Sequence, residues 1–118
     1  MQDNNLTNVV RAYLGAYESE NRAAVESLLA DDFTFTSPHD DAIDKATYFE
    51  RCWPDSDVRR DHAIESLVVE GEKAFVTYRC ATANGKSFRN TEFLTFKGER
   101  IASVNVYFGP AWQDGVLM

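Results

Sequence analysis

Four β-prone segments separated by glycine turns at near-even spacing fill the second half of this chain, and that arrangement admits few folds. Ala63 to Glu70 is rich in Ile, Leu and Val, and Gly71 turns it. Ala74 to Ala83 follows, closed by Asn84-Gly85, a two-residue hairpin signal whose central positions both ask for positive φ. Ser87 to Phe96, then Gly98, then Ile101 to Phe108 complete the series. Segments joined by turns this short pair with their chain neighbours, so the expectation is a four-stranded antiparallel meander.

The first half supplies helices to cover one face of such a sheet. Leu6, Val9, Val10, Tyr13, Leu14 and Tyr17 recur at helical spacing and form one apolar stripe. Asn21 caps a second, shorter helix, with Ala24, Val25, Leu28 and Leu29 as its buried side. Asp31-Asp32 interrupts the pattern. Phe33-Thr34-Phe35-Thr36 then alternates as a short strand that Ser37-Pro38 ends. Asp44 is the N-cap of a third helix, with Ile43 and Tyr48 at staple positions and Phe49, Cys52 and Trp53 on its buried side; Pro54 stops it. At 118 residues there is material for one domain, residues 1–118, and not for two. The fold class is therefore α+β: a strongly curved antiparallel sheet, wrapped as a cone around three N-terminal helices, with an internal pocket.

Charge and motifs remove several function classes. Asp plus Glu number 19 against 12 Lys plus Arg, a formal net charge of -7, which argues against nucleic acid and anionic membranes as partners. The densest basic pair is Arg59-Arg60. No apolar run reaches the ~20 residues of a membrane helix. The opening MQDNNLTNVV lacks the basic and apolar regions of a secretory signal, so a cytoplasmic location is expected. Cys52 and Cys80 make neither a disulfide framework nor a zinc motif and read as reduced thiols. There is no Gly-rich phosphate loop, GxSxG or HExxH, and the two histidines match no metal spacing. No metal and no cofactor are expected.

The order of these pieces resembles the SnoaL-like and ketosteroid-isomerase-like branch of the nuclear-transport-factor-2-like superfamily. The resemblance covers nearly the whole chain. It rests on Val9-Val10-x-x-Tyr13 in the first helix, Leu29-Ala30-Asp31-Asp32 before the first strand, Ser37-Pro38 after it, and the last strand from Ile101 to Gly109. It implies a deep pocket between sheet and helices, and a homodimer joined through the outer sheet face, to which Ser103, Asn105 and Tyr107 alternate. It does not imply one activity, since members resemble isomerases, polyketide cyclases, dehydratases, epoxide hydrolases and non-catalytic binding modules. In ketosteroid isomerases a carboxylate base works with an oxyanion hole built from a tyrosine and a protonated carboxylic acid. Carried onto this chain, the tyrosine falls on Tyr13, the protonated acid on Glu92 and the base on Ser37. A serine without an activating partner does not take a proton from carbon near neutral pH.

Side-chain chemistry points to overlapping positions. Asn90, Glu92, Leu94 and Phe96 share one face of a strand, and by the resemblance that face lines the pocket. A carboxyl there titrates high, because a dry surrounding disfavours its charged form. His62 opens the first meander strand. His39 and Asp40 follow the first strand and offer a base in place of the one missing at Ser37. Tyr13, Glu92, His62, His39 and Asp40 are the candidate catalytic residues. Tyr17, Phe35, Ser37, Phe49, Trp53, Asn90, Val106 and Phe108 are the candidate ligand wall, and Trp112 is placed to fold over the mouth or the dimer seam. Each also has a structural role open to it: core tyrosine, solvated glutamate, polar loop, capping histidine. The expected function is binding of a small, mostly apolar, carbonyl-bearing molecule, with cofactor-free isomerisation or cyclisation. The alternative is a binding or accessory dimer module without catalysis.

Overall fold

A computed structural model of the chain describes residues 2–53 and 60–118. The expected stop at Pro54 and the side chains of Arg59 and Arg60 lie outside the described residues. Two helices come first, α1 (Gln2–Glu18) and α2 (Arg22–Leu28). The stripe on α1 is inward: Leu6, Val9, Val10, Tyr13 and Leu14 are buried. Asn21 caps α2 by accepting the Ala24 N–H at 3.1 Å, as its side-chain chemistry leads one to expect.

The helix ends one residue earlier than its apolar pattern suggests. Leu29 starts β1 (Leu29–Ser37), which is longer than the four alternating residues foretold. Asp31 and Asp32 do not break it. They sit on exposed positions of the strand, and Lys97 pairs with Asp32. A second correction follows Pro38: residues expected to form a polar loop make a strand, β2 (Asp40–Asp44), antiparallel to β1. Asp44 then caps α3 (Lys45–Cys52), taking the Thr47 N–H at 2.9 Å.

The meander forms as β3 (Arg60–Glu70), β4 (Lys73–Thr82), β5 (Lys86–Lys97) and β6 (Arg100–Phe108), and two short tail strands follow, β7 (Trp112–Gln113) and β8 (Val116–Leu117). Among the described residues the sheet runs β2-β1-β6-β5-β4-β3, with β7 on β5 and β8 on β7. It is mixed, not wholly antiparallel, because β1 and β6 pair in parallel. No turn joins those two strands, so nothing local in the sequence sets their relative direction. Register shifts at Ile64/Ser66 and Thr95/Phe96 bend the strands and add twist. The curved sheet wraps the helices: α1 packs on β3 and α2, and α3 packs on β1.

The turns divide into two kinds. Gly71 and Gly98 open two-residue turns with φ of 60 and 64. The third turn differs from the expected one. Ala83, Asn84 and Gly85 make a three-residue loop in which Gly85 alone has positive φ, at 86. This is the common alternative in which a type I turn ends on a left-handed residue. The tail hairpin closes over it, with the Asp114 N–H donating to the Gly85 carbonyl at 2.9 Å. A methyl on Gly85 would run into the Asp114 carboxyl, whereas one on Gly71 meets open space. Gly85→Ala should therefore lose more than the ~1–2 kcal/mol of the left-handed backbone alone, and Gly71→Ala only that amount. Urea unfolding of both variants measures the difference, and equal losses would mean the tail moves aside freely.

Candidate functional site

Alternation along β4, β5 and β6 sends every second side chain to the concave face. Val76, Glu92 and Val106 are Cα partners in one row across the three strands, and Tyr78, Asn90 and Phe108 form the next. Above these rows lies a cavity of about 310 Å³. Tyr13, Leu14 and Tyr17 from α1 close one side, Tyr48, Arg51 and Cys52 from α3 another, and His62 from β3 the end of the sheet. Phe35, Ser37, His39 and Asp40 form the remaining wall.

Glu92 is 4% exposed between two valines, and among the described residues it is the charged side chain taken into the core. Tyr78 donates its hydroxyl proton to Glu92 Oε2. Asn90 Nδ2 donates in turn to the Tyr78 oxygen at 3.1 Å. Burial pushes the Glu92 carboxyl up to about 7, although hydrogen bonding from Tyr78 and Tyr13 opposes the rise. The same burial, with the nearby carboxylate, raises Tyr13 and Tyr78 well above the ordinary phenol value. Among the described residues, three buried polar atoms that line this cavity have no partner at hydrogen-bonding geometry: Glu92 Oε1, Asn90 Oδ1 and Tyr17 Oη. Buried polar atoms are rarely left so, and an ordered water or a bound polar group is the ordinary way such atoms are satisfied.

The rim is charged. Asp40 lies 3.0 Å from Arg51 Nη2, its side chain 9% exposed against 55% for the arginine. Ser37 Oγ donates to the other Asp40 oxygen at 3.4 Å and accepts the His39 N–H at 3.1 Å. The His39 ring packs on Phe108, with centroids 5.8 Å apart. His62 sets its ring edge-on to Tyr78 at 5.0 Å, and its backbone N–H donates to Glu18 at 2.7 Å.

The structure thus brings Tyr13, Glu92, His62, His39 and Asp40 around one hollow with Tyr17, Phe35, Ser37, Asn90, Val106 and Phe108. Phe49 and Trp53, expected in its wall, stand elsewhere. Phe49 packs on Tyr48 and under the Arg22 guanidinium, and Trp53 lies against Tyr17 and Phe49. On α3 the cavity side is Tyr48, Arg51 and Cys52, and the stripe holding Phe49 and Trp53 is rotated away by one residue. Trp112 is paired with Ser87 through β7, away from the cavity. The sequence reading missed Tyr78 and Tyr48. Alternation through Ala74, Val76, Tyr78 and Cys80 was the available signal for the first, and the staple position of Tyr48 hid its second role.

The SnoaL-like domain profile matches residues 10–104. No curated protein matches the chain in sequence. Solved structures with the same fold include an NTF2-like protein of unknown function from Cytophaga hutchinsonii, at 22% identity, TM-score 0.73 and coverage of 88% of this chain and 89% of that one. A candidate ketosteroid isomerase from Kribbella flavida is similar at 15% identity and TM-score 0.80, covering 96% and 84%. An LEH-like epoxide hydrolase from M. tuberculosis is similar at 17% identity and TM-score 0.79, covering 92% and 86%. At these identities the likeness is one of fold.

Proposed function

The chain belongs to the SnoaL-like domain family, and we propose that its cavity binds a small, mostly apolar molecule through a neutral carbonyl oxygen and moves a proton on it. The observation that carries this reading is Glu92 Oε1, buried and without a hydrogen bond among the described residues. With Oε2 occupied by Tyr78, a protonated Glu92 holds its hydrogen on Oε1 and offers it to the ligand oxygen. The Asn90–Tyr78–Glu92 chain polarises that donor, and developing negative charge on the ligand oxygen strengthens it. Asp40 is the base in this scheme: Ser37, unable to serve itself, donates to one of its oxygens and orients it, and Arg51 pairs with the other. The similarity to an isomerase-like fold agrees with such chemistry. A second copy on the outer face belongs to the same reading, since Phe75 and Phe93 stack there at 4.7 Å and Val68 and Tyr107 stand exposed; sedimentation mass decides that part.

The test is calorimetric titration with a panel of neutral cyclic ketones and enones, followed by an isomerisation assay. Wild-type affinity should fall about tenfold per pH unit above the Glu92 titration, as the donor is lost. In Glu92→Gln that pH dependence should vanish. Tyr78→Phe should bind about tenfold more weakly, and Asp40→Asn should bind normally without turnover. Ketone affinity independent of pH in the wild type would sink the proposal. The Asp40–Arg51 pair and the serine at 37 favour a second reading, a binding module without catalysis. Binding by the full panel with no turnover at any pH selects it.

A further inference from the structure

We propose a second binding site, on the convex side of the sheet, for the carboxylate of a small organic acid with an apolar body. It is independent of the cavity. Arg79 and Arg89 are Cα partners on β4 and β5, and both are exposed because their neighbours Tyr78 and Asn90 take the concave face. Like charges directly opposite one another destabilise a sheet. Glu65 relieves one of them, bonding Arg89 Nε at 2.9 Å. Among the described residues no acidic side chain pairs with Arg79. In a chain of net charge -7 this leaves a local excess of positive charge.

The two guanidinium groups do not stand on a flat surface. They line a recess of about 400 Å³ together with Ser87, Gly109, Pro110 and Trp112. Gly109-Pro110 ends β6, and the chain returns as β7 to pair Trp112 with Ser87. That return raises a wall beside the arginines. The Trp112 side chain is 44% exposed, so it presents apolar surface next to the charge. A guanidinium fork matches a carboxylate, the Ser87 hydroxyl adds a donor, and Trp112 with Pro110 suits an aromatic or aliphatic body.

The probe is phenylacetate, titrated calorimetrically into the full chain, with phenylacetamide and inorganic phosphate as separate arms. Phenylacetate should bind at one site per chain. Phenylacetamide, without charge, should not bind, and phosphate, without an apolar body, should bind more weakly. Arg79→Gln should weaken phenylacetate binding about tenfold or more, and Trp112→Ala should weaken it also. Arg79→Gln, freed of the like-charge contact, should unfold no earlier than the wild type, so loss of binding is not loss of fold. Glu92→Gln should leave phenylacetate binding unchanged, which separates this recess from the cavity. The proposal is overturned by equal affinity in Arg79→Gln, by loss of binding in Glu92→Gln, or by phosphate binding as tightly as phenylacetate. A halved sedimentation mass in Arg79→Gln would overturn it too, since the arginine would then serve a contact between copies.

Discussion

Glu92→Gln is expected to stabilise the fold above neutral pH and to remove most of the pH dependence of unfolding between the two ends of the Glu92 titration. In the unfolded chain the carboxyl titrates near its ordinary value of 4.5, and in the fold, desolvated between Val76 and Val106, at about 7. Between those values the folded state keeps a proton that the unfolded state has released. Stability therefore falls as pH rises through this window, is full below the lower value, and stays low above the higher one. With ~1.4 kcal/mol for each tenfold change in acidity, the charged carboxyl costs the fold roughly 3 kcal/mol at about pH 8. Glutamine keeps the shape and an oxygen to accept the Tyr78 hydroxyl, and it carries no charge. Its amide still needs acceptors, which leaves an expected net gain of about 1–3 kcal/mol at about pH 8 and little change at about pH 4. Urea unfolding of both proteins across that range reads the effect as a difference, so contributions from the other acids cancel. Wild-type and variant curves that run parallel would show a solvated carboxyl and remove the basis of the cavity proposal.

The elements legible in the sequence were those fixed by contacts near in the chain. The α1 stripe, the Asn21 and Asp44 caps and the glycine turns all act within a few residues, and each element formed where these signals stand. Glu92 was legible because alternation on β5 groups it with Leu94 and Phe96, and the family resemblance says that this face lines the pocket. Features that depend on distant partners were not. The parallel pairing of β1 with β6 and the pairing of β2 with β1 arise from how the sheet closes, and Asp40 to Asp44 carries too few apolar side chains to announce a strand. Phe49 and Trp53 were misplaced for a related reason. An amphipathic pattern says which side of a helix is buried. It does not say which part of that side meets protein and which part meets a hollow. The tyrosine on β4 was within reach: once Glu92 faces inward, the β4–β5 register puts Tyr78 beside it on the same face.

Phe33→Ala should be among the most damaging single truncations, with a loss of about 3–5 kcal/mol. Phe33 is 1% exposed and is among the largest fully buried side chains of the described residues. Its ring meets Tyr48 edge-on at 5.3 Å, and Tyr48 in turn touches Phe35 at 4.8 Å and Phe49 at 5.2 Å. These rings join β1 to α3, and rigid rings fixed by the backbones of two elements do not close readily over a void. The loss thus includes both the transfer of the removed atoms and the space they leave. Against a total of ~5–15 kcal/mol for a domain, it consumes a large share of the stability. The consequence reaches the cavity, because Tyr48 lines it close to Tyr13. A Tyr48 released from Phe33 shifts that contact, so ketone affinity should fall in Phe33→Ala even below the unfolding transition. Unlike the effect at Glu92, the stability loss should be the same across the pH range, since no titrating group is removed. Val116→Ala, at a position 68% exposed on the tail hairpin, should stay within about 0.5 kcal/mol and serves as the reference for truncation outside the core. A Phe33→Ala loss no larger than that of Val116→Ala would show that the ring cluster does not hold α3 to the sheet, and the cavity wall would need another support.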